Sequence, residues 1–370
     1  MRPIRILVDS LADEGLLNAQ MGNAREIIYR LDPDEFHIST FVIDKPDLRI
    51  ASRKNTRLIQ LPKRRQTPRI LSEFLFGAHE LLFYVKASPA SKWYLNLRNR
   101  RDRRITVGTI ESQCNLKDSV DVSPRALSLW EKTILKCDRL YSNSTSVQAS
   151  LNREYGLASE VIPTGADTHF FTPDWNRSRN SRLQVLFVGS LSVGKQPKMM
   201  MQAAACFPEA DFRIVGEGRL RGHIEAEMVR QRLSNVVLTG PLAAERLRYE
   251  YRQADVFFFP SSFEGSPKVI VEAAACGVPV ICRSSYSPET VLQGVTGFQA
   301  DSDDELFRYL KLLVNNADLR ARMGRAGRQH SHKFDWDPIT KQWRQAFWGL
   351  ARGEQRCASC RFLGNSGTRQ

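Results

Sequence analysis

The chain has 370 residues, of which 42% are hydrophobic and 25% charged, with a net charge of +14. That length exceeds what one hydrophobic core usually serves, so a globular protein of two domains is expected. No run approaches the roughly 18 apolar residues of a membrane span. Arg2 to Val8 passes into Asp9 without a signal-peptide core, and seven scattered cysteines form no disulfide framework, so a reduced, cytoplasmic chain is expected.

The charge is concentrated. Between Lys45 and Arg104 there are 16 Lys and Arg against four acids, a surplus of 12. Such a block usually means an anionic partner, whether phospholipid at the inner face of a membrane, nucleic acid or a phosphorylated substrate, or else a solvated face kept soluble by charge.

Residues 5–8 read as a short buried strand, followed by a loop and a helical pattern over 23–30, with residues 37–43 as the next strand. Strand–helix–strand order is the mark of a parallel sheet. Leu71, Phe74, Leu75, Leu81, Leu82 and Val85 fall at helical spacing and predict a helix over 70–85. A strand over 104–107, a helix over 127–137, a strand over 139–142 and a helix over 146–155 follow. The polar stretch 173–182 has the composition of a linker. Beyond it the rhythm restarts, with strands at 184–188, 212–215, 236–238, 256–259 and 278–282. Cys206, Cys276 and Cys282 sit among Ala and Val, as reduced core thiols do. Residues 353–370 are small and polar, a tail expected to be disordered.

The most informative run is 257–281. A buried strand, Phe257-Phe258-Phe259, leads into a polar loop holding Glu264; Ser266 suits an N-cap, Pro267 the first helical position, and the helix stops at Gly277. Lys268 and Glu272 lie four apart on one helical face. Free N–H groups over 266–269 would form an anion site suited to a diphosphate, and carboxylates at its ends can accept hydrogen bonds from sugar hydroxyls. Two glutamates alone would be an ordinary helix start.

The whole run resembles the E-x7-E signature of the family-4 retaining glycosyltransferases. So do Asp138-Arg139-Leu140-Tyr141-Ser142, Val161-Ile162-Pro163-Thr164-Gly165 with Phe171-Thr172-Pro173, Phe187-Val188-Gly189-Ser190-Leu191 with Lys195, and Ile214-Val215-Gly216-Glu217-Gly218. The resemblance implies an α/β protein of GT-B fold, two facing Rossmann-like doubly wound domains. The first, acceptor-binding, would span 1–172 and the second, nucleotide-sugar-binding, 180–335, with a helix over 336–352 crossing back onto the first. It implies that Glu272 grips the nucleotide ribose and that Glu264 contacts the transferred sugar. Gly265, Ser266, Pro267, Lys268 and Val269 would hold sugar and phosphates, and Lys195 would neutralise the leaving diphosphate. Gly189 and Ser190 would line the donor site, Glu217 would lie near the base, and Gly22, just before the helix at Asn23, would turn its backbone to the diphosphate. The implied reaction is retaining transfer of a hexose from UDP- or GDP-sugar to a hydroxyl of a glycan or lipid-linked acceptor, without other cofactor.

The sequence departs from the family at three places. Ser190 stands where an arginine is common, the N-terminal loop has a single glycine at Gly22, and the first-domain loop after residue 107 lacks a histidine. Glu111 is therefore the candidate for acceptor contact. No D-x-D on a strand-end loop offers a metal–diphosphate anchor; Asp301-Ser302-Asp303 reads as a helix cap, so metal-independent transfer is expected. Gly216-x-Gly218-x3-Gly222 imitates a nicotinamide fingerprint with the wrong spacing, Cys357-x2-Cys360 lacks a second ligand pair, and aromatic residues are too sparse in the basic block to suggest nucleic acid. The stripe Phe74, Phe76, Leu81, Leu82, Phe83 beside Arg64, Arg65 and Arg69 reads equally as a membrane-facing surface or a core helix. The competing function is a non-catalytic glycan- or anionic-surface-binding protein that keeps the fold.

Overall fold

The computed structural model describes residues 2–15, 18–98, 102–114, 123–177, 181–286 and 288–353; the tail expected to be disordered lies outside them. The chain divides into two compact units, one made of Met1–Pro163 with Asp337 onward, the other of Thr164–Trp336. Residues 164–172, assigned from sequence to the first domain, thus group with the second unit.

The first unit holds strands β1 (Ile4–Leu11), β2 (Phe36–Val42), β3 (Thr56–Gln60), β4 (Leu81–Phe83), β5 (Ile105–Ile110), β6 (Arg139–Ser142) and β7 (Glu160–Val161). They pair in parallel in the order β3-β2-β1-β4-β5-β6-β7. Helices α1 (Ala19–Arg30), α2 (Leu48–Ala51), α3 (Thr67–Phe76), α4 (Pro89–Leu97), α5 (Pro124–Glu131) and α6 (Thr145–Tyr155) connect them.

Three expectations fail here for identifiable reasons. The helix expected over 70–85 ends at Phe76, because Gly77 leaves helical geometry at φ −66°, ψ 143°. Leu81, Leu82 and Phe83 instead form the strand between β1 and β5, each at most 1% exposed. A central parallel strand is buried on both faces, so its apolar run carries no alternation to distinguish it from helix. With Phe74 fully buried as well, only Phe76 of the proposed surface stripe faces solvent. The first helix starts four residues early: the Asn18 side chain accepts from the Met21 N–H at 2.9 Å and caps it.

The second unit repeats the design with β8 (Leu183–Val188), β9 (Ala210–Val215), β10 (Val236–Gly240), β11 (Val256–Phe259), β12 (Val280–Arg283) and β13 (Gly297–Ala300), ordered β10-β9-β8-β11-β12-β13, all parallel. Its helices are α7 (Lys198–Cys206), α8 (Arg221–Arg230), α9 (Ala244–Gln253), α10 (Lys268–Ala275), α11 (Asp303–Asn315) and α12 (Ala317–Ser331). Ser302 caps α11, its hydroxyl accepting from the Glu305 N–H. Val256 to Phe259 are wholly buried, with Phe257 stacked on Phe259 at 5.8 Å. α12 lies close on α10: a Cβ at Gly324 would stand 2.1 Å from the Gly277 carbonyl oxygen. Cys276 and Cys282 are buried thiols, whereas Cys206, at the end of α7, is exposed, contrary to its reading as a core residue.

The last helix, α13 (Trp336–Arg352), belongs to the first unit from Asp337 onward. Trp343 and Phe347, four apart and so on one face, pack against Phe83 of β4 at 4.8 and 4.9 Å; Trp343 also meets Tyr141 of β6, and Phe347 meets Phe36 of β2. This aromatic stripe spans the sheet and fastens α13 to β2, β4 and β6. No helix among the described residues is long and apolar enough to cross a membrane.

Candidate functional site

Both sheets are doubly wound, and in such sheets ligands gather where strand order reverses, outside the C-terminal strand ends. In the second unit that point is between β8 and β11, which pair directly. Neighbouring strands run about 4.8 Å apart, so loops leaving them are forced together even when distant in sequence.

The loop after β8 carries Gly189, Ser190 and Lys195; the loop after β11 carries Glu264. Ser262 N–H donates to the Gly194 carbonyl at 2.9 Å, joining the two. The Lys195 ammonium is ion-paired with the Glu264 carboxylate and stands 5.3 Å from the Phe259 ring centroid. Glu264 is 9% exposed and also accepts from the Ser261 hydroxyl. The loop after β9 closes the third side: Gly189 N–H donates to Val215 O at 3.0 Å, and Leu191 N–H to Glu217 O at 2.9 Å. This contact requires Gly216, at φ +138°, since a Cβ there would fall 1.9 Å from the Gly189 carbonyl oxygen.

Behind the Lys195 turn lies Arg283, at the end of β12. Its guanidinium donates to the Pro260 carbonyl at 3.0 Å and the Gln196 side-chain oxygen at 2.8 Å, and pairs with Asp303. Gln196 itself adopts φ +49°, a left-handed conformation that costs a non-glycine residue about 1–2 kcal/mol.

Helix α10 begins at Lys268, with Pro267 at the cap position and no side chain capping it. Ser266 is therefore not the N-cap and Pro267 not the first helical residue, as expected from sequence; Pro267 also has no N–H to offer. Gly265 and Pro267 are buried; Ser266, Lys268 and Val269 are half-buried. Glu272 accepts from the Tyr251 hydroxyl at 3.0 Å. Burial pushes its carboxyl above the ordinary range, against the opposing pull of Lys268 and of that hydrogen bond. Tyr251 is fully buried between Phe171 and Phe257.

The remaining expected residues are more peripheral. Glu217 is half exposed, accepting from Arg221 at 2.9 Å. Ser190 is exposed, with its hydroxyl 3.2 Å from that of Ser192. In the first unit, Gly22 is the fourth residue of α1, and its N–H is spent on the Asn18 carbonyl at 3.1 Å. The expectation that Gly22 precedes the helix and presents a free backbone is thus corrected. Glu111 follows β5, accepting from the Tyr84 hydroxyl and, at 3.4 Å, from the Asn23 amide. Tyr84 sits at φ +61° where β4 ends, a strained position of the kind that clusters at ligand sites.

Sequence reasoning missed Tyr251, Ser261, Gln196 and Arg283. Only Tyr251 left a usable signal: four positions after Leu247 and three before Ala254, it falls on the apolar stripe of its helix.

Two Rossmann-like units with these occupied strand ends define a protein of GT-B fold. Residues 172–330, in the second unit, match the family described as Glycosyl transferases group 1. It is 27% identical over 205 residues to a sulfoquinovosyl transferase of Arabidopsis thaliana, an alignment covering 50% of this chain and 39% of that one. It is 30% identical over 231 residues to a D-inositol 3-phosphate glycosyltransferase of Acidothermus cellulolyticus, covering 55% and 51%. The chain spans from 39% to 61% of the length of such curated relatives. Among solved structures, sucrose-phosphate synthase from Thermosynechococcus elongatus superposes with a TM-score of 0.79 at 20% identity, covering 95% of this chain and all of that one. Anabaena HepE, solved with UDP-glucose, gives 0.74 at 16% identity, covering 94% and 100%.

Proposed function

We propose that the protein is a retaining glycosyltransferase that moves a hexose from a UDP- or GDP-sugar to a hydroxyl of a glycan or lipid-linked acceptor. The observation that carries this reading is the Lys195–Glu264 ion pair at the β8/β11 switch point. Donor binding would exchange partners: Lys195 turns to the diphosphate, and Glu264, still held by Ser261, accepts from sugar hydroxyls. The N–H groups of Lys268 and Val269 add the positive end of α10 to the phosphates. Glu272 would accept from the ribose hydroxyls. As the sugar–phosphate bond breaks, charge grows on the leaving diphosphate, where Lys195 stabilises it in place of a metal ion. The acceptor oxygen bonds to the sugar carbon from the same face and gives its proton to a leaving phosphate oxygen. Glu111, held by Tyr84 and Asn23, is assigned to the acceptor. UDP-glucose is bound by the similar Anabaena protein, which supports a nucleotide-sugar donor here.

The test is turnover of a matched donor by purified Lys195→Ala and Glu272→Ala proteins. Both should lose activity by at least a hundredfold, and near-normal rates would sink the assignment. Ser190, which leaves the β8 loop one arginine short, favours the second reading of a non-catalytic binding protein. Thermal stabilisation by UDP or GDP with neither donor hydrolysis nor transfer would establish that reading instead.

A further inference from the structure

Seven of the 16 basic residues between Lys45 and Arg104 are ion-paired within the fold. Lys45 pairs with Glu14, Arg49 with Glu26 and Asp47, Arg57 and Arg69 with Glu73, Lys63 with Asp44, Arg98 with Asp138 and Arg104 with Asp102. Arg53 is spent on the Leu31 and Phe36 carbonyls. Part of the charge that remains open joins residues from outside the block. Lys92 of α4 lines one hollow together with Lys132 and Lys136, which lie outside the block, after α5. None of the three makes an ion pair among the described residues. The acids that flank Lys132 and Lys136 in sequence are already engaged: Glu131 accepts from Tyr155 at 3.0 Å, and Asp138 holds Arg98.

Beside this hollow α4 turns apolar bulk outward. Ala90, Ser91 and Tyr94 are its buried face, so steps of 100° place Lys92, Trp93, Asn96 and Leu97 together on the outer arc. Trp93 is 52% and Leu97 63% exposed; Phe76, at the end of the neighbouring α3, is 83% exposed. Isolated exposed apolar residues are ordinary. Trp and Leu one turn apart, on the helix whose Lys92 shares a hollow with Lys132 and Lys136, have the composition of an interfacial surface.

We propose that this face of the first unit, α4 with Lys132 and Lys136, docks on an anionic phospholipid bilayer. The lysines meet the headgroup phosphates, and Trp93 and Leu97 enter the headgroup–acyl boundary. Charge complementarity selects this occupant. An acidic protein groove would satisfy the lysines but leave the outward Trp93 and Leu97 dependent on a matching pocket. A nucleic acid would require more than one stacking ring. Arg98 lines the hollow as a structural residue, since Asp138 holds it. The inference is independent of the transfer reaction proposed above and is tested without it.

The experiment is co-sedimentation of the full chain with vesicles of phosphatidylcholine alone and of phosphatidylcholine with phosphatidylglycerol. Binding to the anionic vesicles only is expected, and it should weaken as salt rises from 0.1 to 1 M and the Debye length falls from about 10 to about 3 Å. Each basic residue at such a surface contributes roughly fivefold, so losing three should cost on the order of 100-fold and Lys92→Glu/Lys132→Glu/Lys136→Glu should reduce partitioning by at least that much. Trp93→Ala/Leu97→Ala should also release the protein, and brominated lipid should quench a fluorescence component that Trp93→Phe removes. Circular dichroism and the melting temperature of each variant show whether it is folded. If the folded triple variant binds as the parent does, or the parent binds neutral vesicles equally, the proposal is overturned. Binding to RNA oligonucleotides with none to vesicles overturns it too.

Discussion

Arg283 reaches across from the end of β12 to the side chain of Gln196, the residue that follows Lys195, and holds it in a left-handed conformation at φ +49°. The same guanidinium bonds Pro260, where the Glu264 loop begins. The lysine turn and the glutamate loop therefore share one half-buried anchor, which is how a flexible ammonium is kept beside a particular carboxylate.

Two substitutions at Gln196 should separate strain from anchoring. Gln196→Gly removes the hydrogen bond, worth about 1 kcal/mol, and relieves a φ penalty of similar size, so stability should change little. Gln196→Ala removes the bond and keeps the strain, and should cost about 1–2 kcal/mol in urea unfolding. Equal stability of the two variants would mean that the left-handed backbone carries no strain, and a Gln196→Ala protein as stable as the parent would mean that Arg283 does not hold the turn.

The Tyr251–Glu272 pair makes a prediction in which stability and binding move in opposite directions. Burial raises the Glu272 carboxyl above its ordinary 4.5, so the folded state holds the proton more tightly than the unfolded chain. The charged form then penalises folding above that raised value, and the penalty disappears as pH falls toward the ordinary one. Glu272→Gln should leave the fold equally or more stable at pH 7 while weakening UDP or GDP binding at least tenfold by calorimetry. Tyr251→Phe should weaken binding less, since it leaves the carboxylate in place but unheld.

His79 should make the first unit acid-sensitive. Burial, with Arg104 nearby, lowers its pKa from 6.5 to about 4. It is neutral in the folded state while the unfolded chain binds a proton, so stability is full above pH 6.5 and declines toward pH 4. The loss is roughly 3 kcal/mol at most, at 1.36 kcal/mol per unit. Unfolding free energies measured at pH 7, 6, 5 and 4.5 should show this slope, and His79→Leu should flatten it.

Phe347, wholly buried against Phe36, Phe83 and Trp343, should be the residue that fastens α13. Phe347→Ala should cost about 3–5 kcal/mol, as removal of a core phenyl ring does, and lower the melting temperature. Arg344→Ala on the exposed side of the same helix breaks only its pair with Glu35 and should cost under about 1 kcal/mol.

Features set by neighbours in the chain were legible in the sequence. The strand Val256–Phe259, its polar exit with Glu264, the helix carrying Glu272 and its stop at Gly277 are all local, because apolar runs, proline and glycine act within a few residues. The boundaries were less legible: Asn18, not Asn23, opens α1, and α10 starts one residue after Pro267 without the expected serine cap. The central strand β4 was misread as helix, since burial on both faces removes the alternation that marks a strand.

What only the tertiary structure decided is which distant groups meet. Lys195 and Glu264 are 69 residues apart, and their contact follows from β8 lying beside β11 in a parallel sheet. Tyr84 meets Glu111 because β4 lies beside β5. The basic block shows the same division: composition located the charge, but folding spent about half of it on carboxylates and carbonyls and brought Lys92 together with Lys132 and Lys136 from outside the block. Residue type and spacing determine which chemical groups are available, whereas strand order and burial determine which of them remain unpaired and within reach of one another.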